Sequence, residues 1–277
     1  MQTFISSSVF NDFKEAVNLA QELGVNLEVS RFATNLDDID ETFYDRVKQM
    51  KQDLKDFQGE VSLHAMFFDL CVVSADPLIR EVSLKRAEQS LFAAKEFNAK
   101  TVVFHTGLNT TLKYAPYHLI FKKKYIAFWK EFVKEFEEAG MVAVIENLQE
   151  TSPEFIFDVV KAVDSPNLRV SLDIGHVNIH SDVPVVEWIK YYNKYIYHMH
   201  IHNNYGDDDT HNSLLKGTIN VQEVFDTIKK LKLNPKIILE IFEKGDVMES
   251  LIFYNKFLSP YKTSGTQTDI LTPSTAL

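Results

Sequence analysis

Short apolar runs with a two-residue alternation recur along the chain, each followed by a longer stretch whose apolar positions repeat every three to four residues. The first pattern predicts strands and the second amphipathic helices. Strand patterns fall at residues 3–7, 25–30, 60–66, 100–105, 141–146, 168–173, 195–202 and 236–241. Helical patterns cover 11–23, 37–57 and 77–97, a long segment ending at Gly140, a segment opened by Ser152-Pro153-Glu154, and stretches near 184–192, 221–231 and 247–257. Start and stop residues agree: Asn11 is a candidate N-cap, Gly24 closes the first helix, and Pro77 suits a first helical turn. Strands alternating with helices imply a parallel sheet with right-handed crossovers. Eight such units predict an α/β fold closed as a (β/α)8 TIM barrel, with an open doubly wound sheet as the alternative. No Gly-rich phosphate fingerprint follows any strand, which counts against a dinucleotide-binding fold. With no composition break, residues 1–258 read as a single barrel domain. Residues 259–277, rich in Ser, Thr, Gly and Pro, read as a mobile tail.

Composition narrows the class of function. The 277 residues are 45% hydrophobic and 25% charged, ordinary for a globular domain. With 29 basic against 39 acidic residues the net charge is −10, which disfavours a broad nucleic-acid surface. The single cysteine, Cys71, rules out an internal disulfide and fits a reducing compartment. The N-terminus lacks a basic region followed by an apolar stretch, and no run of 18 apolar residues occurs. The expectation is a cytoplasmic protein without a membrane segment, its oligomeric state left open.

The chemistry lies at the strand ends. In Tyr197-His198-Met199-His200-Ile201-His202 the three imidazoles share one strand face and the apolar side chains the other. His64 lies near the end of strand 3, His105 ends strand 4, Glu146 strand 5 and Asp173 strand 6, and Glu240 lies near the end of strand 8. Each strand from the third onward thus sends an acid or an imidazole inward near the C-terminal mouth, where active sites of this fold lie. Buried acids and histidines are rarely tolerated without partners. His176 follows Asp173 by three residues, and Asp209 and His211 sit in the loop after strand 7, giving nine candidate ligands. Imidazoles and carboxylates that converge suit Zn2+ or Mn2+. One tetrahedral ion needs four donors, so nine are enough for two or three ions, with Glu146 the natural bridge.

These residues, in the settings Leu63-His64-Ala65, Phe104-His105-Thr106-Gly107, Glu146-Asn147, Asp173-Ile174-Gly175-His176, His200-Ile201-His202, Asp209-Thr210-His211 and Glu240, resemble the xylose-isomerase-like TIM-barrel superfamily. Its members include sugar and sugar-phosphate isomerases and epimerases, and endonuclease IV. The resemblance implies that Glu146, Asp173, His200 and Glu240 match the four ligands of the single metal in the sugar epimerases. It also implies that His64, His105, His176, Asp209 and His211 match the groups added in the trinuclear zinc site of endonuclease IV. Two features depart from the pattern. Asn203 and Asn204 follow the strand-7 histidines where an acid often stands, and no basic or aromatic loops follow strands 1 to 3. The stretch after strand 2 carries Asp37, Asp38, Asp40 and Glu41 instead, a poor surface for a phosphate backbone.

The reading is a metal-dependent isomerase or epimerase of a small sugar or sugar phosphate, with Glu146 and Glu240 exchanging the proton as base and acid. The alternatives are a multi-zinc phosphoester hydrolase, with DNA disfavoured by the acidic surface, and a non-catalytic metal or carbohydrate binder. Three further residues are candidates for substrate contact. Glu28, near the end of strand 2, suits a substrate hydroxyl or a barrel-core ion pair. His202 suits either direct contact or support of a ligand, as does His198. Lys216 lies after strand 7, near where this fold often binds phosphate.

Overall fold

The computed structural model describes residues 1–258; the expected tail at 259–277 lies outside the described residues. Eight strands, β1 (Thr3–Ser6), β2 (Asn26–Val29), β3 (Val61–His64), β4 (Thr101–His105), β5 (Val142–Glu146), β6 (Leu168–Asp173), β7 (Ile196–Ile201) and β8 (Lys236–Leu239), pair in parallel in sequence order. β8 returns to β1 and closes the barrel. Around it run α1 (Phe13–Leu23), α2 (Arg31–Thr34), α3 (Phe43–Asp53), α4 (Pro77–Glu96), α5 (Ala115–Ala139), α6 (Glu154–Val163), α7 (Ile174–His180), α8 (Val185–Tyr192), α9 (Val221–Lys230) and α10 (Lys244–Leu258). The closed (β/α)8 barrel is thus present, and the open-sheet alternative is not. Among the described residues no helix is long and apolar enough to cross a membrane.

Strand alternation separates two environments. Ile5, Leu27, Leu63, Val102, Phe104, Ile145 and Met199 point outward and join the apolar faces of the helices in one cluster. Phe104 meets Trp129 of α5 edge-on at 5.3 Å, with Phe132 and Phe136 packed beside it. Phe4, Val103, Val144 and Ile238 are equally buried but sit outside that cluster, in the barrel interior. The interior closes at its N-terminal end on Lys236, whose Nζ donates to Thr101 Oγ1 at 2.7 Å and to Glu60, and lies 4.9 Å from the Tyr197 ring. An ammonium there is tolerated because it is paired on every side. The polar residues of the other end are left to the mouth.

Three local expectations are corrected. The cap of α1 is Asp12, whose Oδ1 accepts from Lys14 N at 3.0 Å, and not Asn11. The helix expected over 37–57 is broken into a short turn and α3. Asn35 Oδ1 accepts from Asp37 N, and the Asp38 carboxylate is drawn inward by Arg31 (2.7 Å) and Arg46 (3.3 Å), which holds the segment off a helical path. α7 begins directly at the end of β6, where a turn was expected, because Asp173 Oδ1 caps it by accepting from His176 N at 2.7 Å.

The aromatic cluster behind β4 supports the strand that carries His105. Trp129→Ala is expected to lower unfolding stability by about 3–5 kcal/mol, read from urea denaturation followed by circular dichroism.

Candidate metal centre

Register brings the donors together. Parallel pairing sets His105 opposite Glu146 and Asp173 opposite His200. His64 is the last residue of β3, and Glu240 follows β8 directly. Asp209 and His211 come from the loop after β7. That loop is tied down by Asn203, which exchanges backbone hydrogen bonds with Asn212 (3.1 and 2.9 Å) and whose Oδ1 accepts from Ile219 N and Asn204 N. The asparagine standing where an acid was expected therefore anchors the segment that delivers two donors. Asn147 does the same for Asp173, donating from Nδ2 to its carbonyl and accepting from its N–H, both at 2.9 Å.

The nine expected ligands form overlapping groups, each with donor atoms within 4.8 Å of one another: Glu146, Asp173, His200 and Glu240; His64, His105 and Glu146; His64, His200 and Glu240. A further group contains His176, Asp209 and His211 together with His202. Glu146 is common to two groups, and its Oε2 lies 3.4 Å from His64 Nε2 and 3.7 Å from His105 Nε2. His200 Nδ1 lies 2.6 Å from Glu146 Oε1 and 3.1 Å from Glu240 Oε2. His176 Nε2 and His211 Nε2 lie 3.2 and 3.1 Å from Asp209 Oδ2.

The outer ring nitrogens show why a cation fits. His64 Nδ1 donates to the Ala65 carbonyl at 2.9 Å, His176 Nδ1 to that of Asn147 at 2.8 Å, and His211 Nδ1 to that of Glu240 at 2.8 Å. His200 Nε2 donates to Glu28 Oε1 at 2.6 Å. Each neutral ring then aims a lone pair at carboxylate oxygens, so acceptor faces acceptor. Only a cation between them relieves that, either a proton or a metal ion, and ligand histidines are commonly held in this way. His105 Nδ1, Glu146 Oε2, His202 Nδ1 and Asp209 Oδ1 are buried without a hydrogen-bond partner. Buried polar atoms are rarely left so, which adds to the fit.

The titration behaviour follows from the same crowding. Burial alone would depress His200, but Glu146, Glu240 and Glu28 outweigh it and hold its pKa well above 6.5. His176 rises likewise, against burial, through Asp173 and Asp209, as do His64 through Glu146 and His211 through Asp209. His105, with burial dominant, is pushed down to about 3. Burial would raise the carboxylates, but the imidazoles carry Glu146 well below its usual range and Asp173 down to about 2.

Three expected substrate contacts are placed differently. Glu28 is fully buried beneath the site, its oxygens taken by His200, His198 (3.0 Å) and Ser62 (2.9 Å), so the ion-pair reading holds and a substrate hydroxyl has no access. His202 is also fully buried, with Nε2 3.2 Å from Asp173 Oδ2 and its ring stacked at 3.9 Å on His211. Gly175 makes room for it, since a Cβ there would collide with the His202 ring. Lys216 is half-exposed and paired with Asp246 of α10, away from the cleft. The sequence reading missed Ser62 and Ser171, small polar residues within strands that bond Glu28 and His198.

Above the donors opens a cleft of about 1000 Å³, floored by His64, His105, His176, Asp209, His211 and Glu240. Apolar side chains line it as well, Phe67, Phe68, Leu70, Leu108 and Phe242 among them. None of the described residues lining it is Lys or Arg.

Comparison with known proteins agrees with this architecture. A family model described as a xylose isomerase-like TIM barrel matches residues 17–257. The uncharacterized protein MJ1311 of Methanocaldococcus jannaschii is 28% identical over 227 residues, 78% of this chain and 77% of that one. Among solved structures, a D-tagatose 3-epimerase-like protein superposes with a TM-score of 0.78 at 23% identity, covering 94% of this chain and 98% of its own. The TTHB071 protein of Thermus thermophilus, soaked with ZnCl2, gives a TM-score of 0.78 at 24% identity, covering 95% and 100%.

Two outcomes follow from the donor geometry. Elemental analysis of the zinc-saturated protein is expected to give at least two ions per chain, and His211→Ala to lose one; a single ion unchanged in that variant contradicts the grouping. In the metal-free protein, the raised histidines His64, His176, His200 and His211 contribute stability that is fully present below pH 6.5 and lost as pH rises through their folded values. His105 and His198, both lowered, act in the opposite sense but only below pH 6.5, outside that window. The melting temperature in chelator is therefore expected to fall as pH rises above about 6.5, whereas the metal-loaded protein, in which ions replace those protons, is expected to show no such fall.

Proposed function

The chain belongs to the xylose isomerase-like TIM-barrel family, and on that footing we propose that it is a metal-dependent isomerase or epimerase of a sugar or sugar phosphate. The observation that carries the reading is the four-donor group of Glu146, Asp173, His200 and Glu240, in which Glu240 faces the cleft. The superposition on a D-tagatose 3-epimerase-like protein supports the reaction class, and that on a protein soaked with ZnCl2 supports a divalent ion.

Glu146, Asp173, His200 and Glu240 would hold a divalent ion, which would supply Lewis acidity toward adjacent substrate oxygens and so acidify the proton on the carbon beside the carbonyl. Glu240 is the carboxylate placed to take that proton from the cleft side. Glu146 lies beneath the floor, fully buried, with an unpartnered Oε2 turned toward His64 and His105. In this reading the two carboxylates alternate as base and conjugate acid, moving the proton between faces in epimerisation or between adjacent carbons in isomerisation; Glu146, which does not line the cleft, requires the substrate to reach its unpartnered Oε2. His200 and Asp173 hold the group in place, and the apolar lining limits water around the reacting carbon.

A second reading, a multi-zinc phosphoester hydrolase, is favoured by the additional group of His176, His202, Asp209 and His211. The absence of Lys and Arg from the described cleft lining weighs against an extended phosphate backbone as substrate.

Incubating the metal-loaded protein with sugars and sugar phosphates in deuterated water tests the choice. Deuterium is expected at the carbon beside the carbonyl, and Glu146→Gln and Glu240→Gln are each expected to lower kcat by about 10² to 10⁴. Cleavage of a simple phosphodiester with no exchange in any sugar establishes the hydrolase instead.

A further inference from the structure

Beneath the site the barrel interior holds a second set of polar groups that neither the cleft nor the proton transfer uses. Glu28 of β2 accepts from His200 Nε2 through Oε1 (2.6 Å), and from His198 Nε2 (3.0 Å) and Ser62 Oγ (2.9 Å) through Oε2. His198 Nδ1 in turn lies 2.9 Å from Ser171 Oγ. All five side chains are fully buried. Strand register places Glu28 opposite Ser62 and Ser171 opposite His198, so four strands, β2, β3, β6 and β7, build one connected path that ends on His200.

We propose that Glu28 is a positioning residue for metal binding, locking His200 so that its Nδ1 lone pair is the donor offered to the Glu146, Asp173 and Glu240 group. This rests on the metal-centre reading above and is independent of the substrate. A neutral imidazole carries one N–H, and a carboxylate 2.6 Å from Nε2 keeps that proton on Nε2. Nδ1 then faces three carboxylates as an acceptor, the arrangement that a cation completes. The remaining contacts fix Glu28 itself. With His198 and Ser62 on Oε2, its plane cannot rotate without breaking two buried hydrogen bonds. Glu28, which only accepts, keeps the His198 proton on Nε2, and Nδ1 is then left to accept from the Ser171 hydroxyl at 2.9 Å. Glu28 therefore fixes the proton position of both imidazoles, and through His200 the donor atom at the mouth.

A carboxylate retained only as a core ion pair would contribute to folding and leave metal affinity unchanged. The two roles separate by experiment. The metal-free protein is titrated with Co2+ and Zn2+ against a chromophoric chelator, with the visible Co2+ spectrum recorded and the metal-free melting temperature measured in parallel. Glu28→Gln keeps the shape but removes the charge. It is expected to weaken metal binding about 10- to 100-fold and to shift the Co2+ bands, with an unchanged number of ions at saturation. His198→Gln, which leaves Glu28 in place but removes the imidazole from its Oε2, is expected to give a smaller loss in the same direction, and carries the test if Glu28→Gln does not fold. Wild-type affinity and spectrum in the variant, with only the melting temperature lowered, overturn the proposal. A wild-type protein that takes up neither ion overturns the metal-centre reading itself.

Discussion

The structure is governed by one electrostatic constraint: acceptors face acceptors at the mouth of a closed barrel. Glu146, Asp173, Asp209 and Glu240 converge with imidazoles whose outer N–H groups are already committed, three of them to backbone carbonyls. Carboxylates this close repel strongly where water is excluded. The described cleft lining offers no ammonium or guanidinium to offset them. Positive charge must therefore come from protons on the histidines or from ions, and the raised histidine pKa values are the protonic solution. A site that needs cations and fixes its donors from behind suits the exchange of those protons for metal.

Rigid strand ends make that arrangement tenable. A floppy loop carrying the same residues would splay them apart to relieve the repulsion. Here the outward faces of β4, β5 and β7 are gripped by the aromatic and aliphatic shell, of which the Phe104 and Trp129 contact is one part. The inward faces have no freedom to move except by breaking the barrel. Folding energy is supplied mostly by the outer layer, and the strain of like charges is confined to the inner one. Lys236 meets Glu60 at the opposite end, so the ammonium buried in the barrel interior does not reach the carboxylates of the mouth.

Sequence pattern and long-range contact divide what could be read in advance. A period of two places His64, His105, Glu146, Asp173 and His200 on the inner face once strand ends are recognised, because alternation is a local property. The roles of Glu28 and His202 are not local. Glu28 meets His200 across 172 residues of chain, and His202 meets Asp173 across 29. Lys216 reads as a phosphate contact by its place after β7, yet Asp246 from α10 takes its charge. The helix expected at 37–57 fails for the same reason, since the Arg46 side chain that draws in Asp38 competes with local helical preference.

The aromatic residues of the cleft complete the electrostatic argument. Phe242 stacks on His211 at 3.9 Å with planes 9° apart, and His211 stacks in turn on His202. Phe67 meets His105 edge-on at 4.7 Å and carries Phe68 against its own face. Two donor imidazoles are therefore covered by hydrocarbon on the side that faces the cleft, which displaces water and lowers the local dielectric. Lower dielectric strengthens both the repulsion among the carboxylates and their attraction for an ion. It also sharpens what a substrate must bring. A sugar hydroxyl pair can meet the donor side while carbon-bound hydrogens lie on the phenyl rings. A phosphate group finds no ammonium or guanidinium in the described lining, so it is neutralised only at the donor cluster itself. Under the proposed sugar function, competition for the donor cluster is what separates phosphorylated from free sugars.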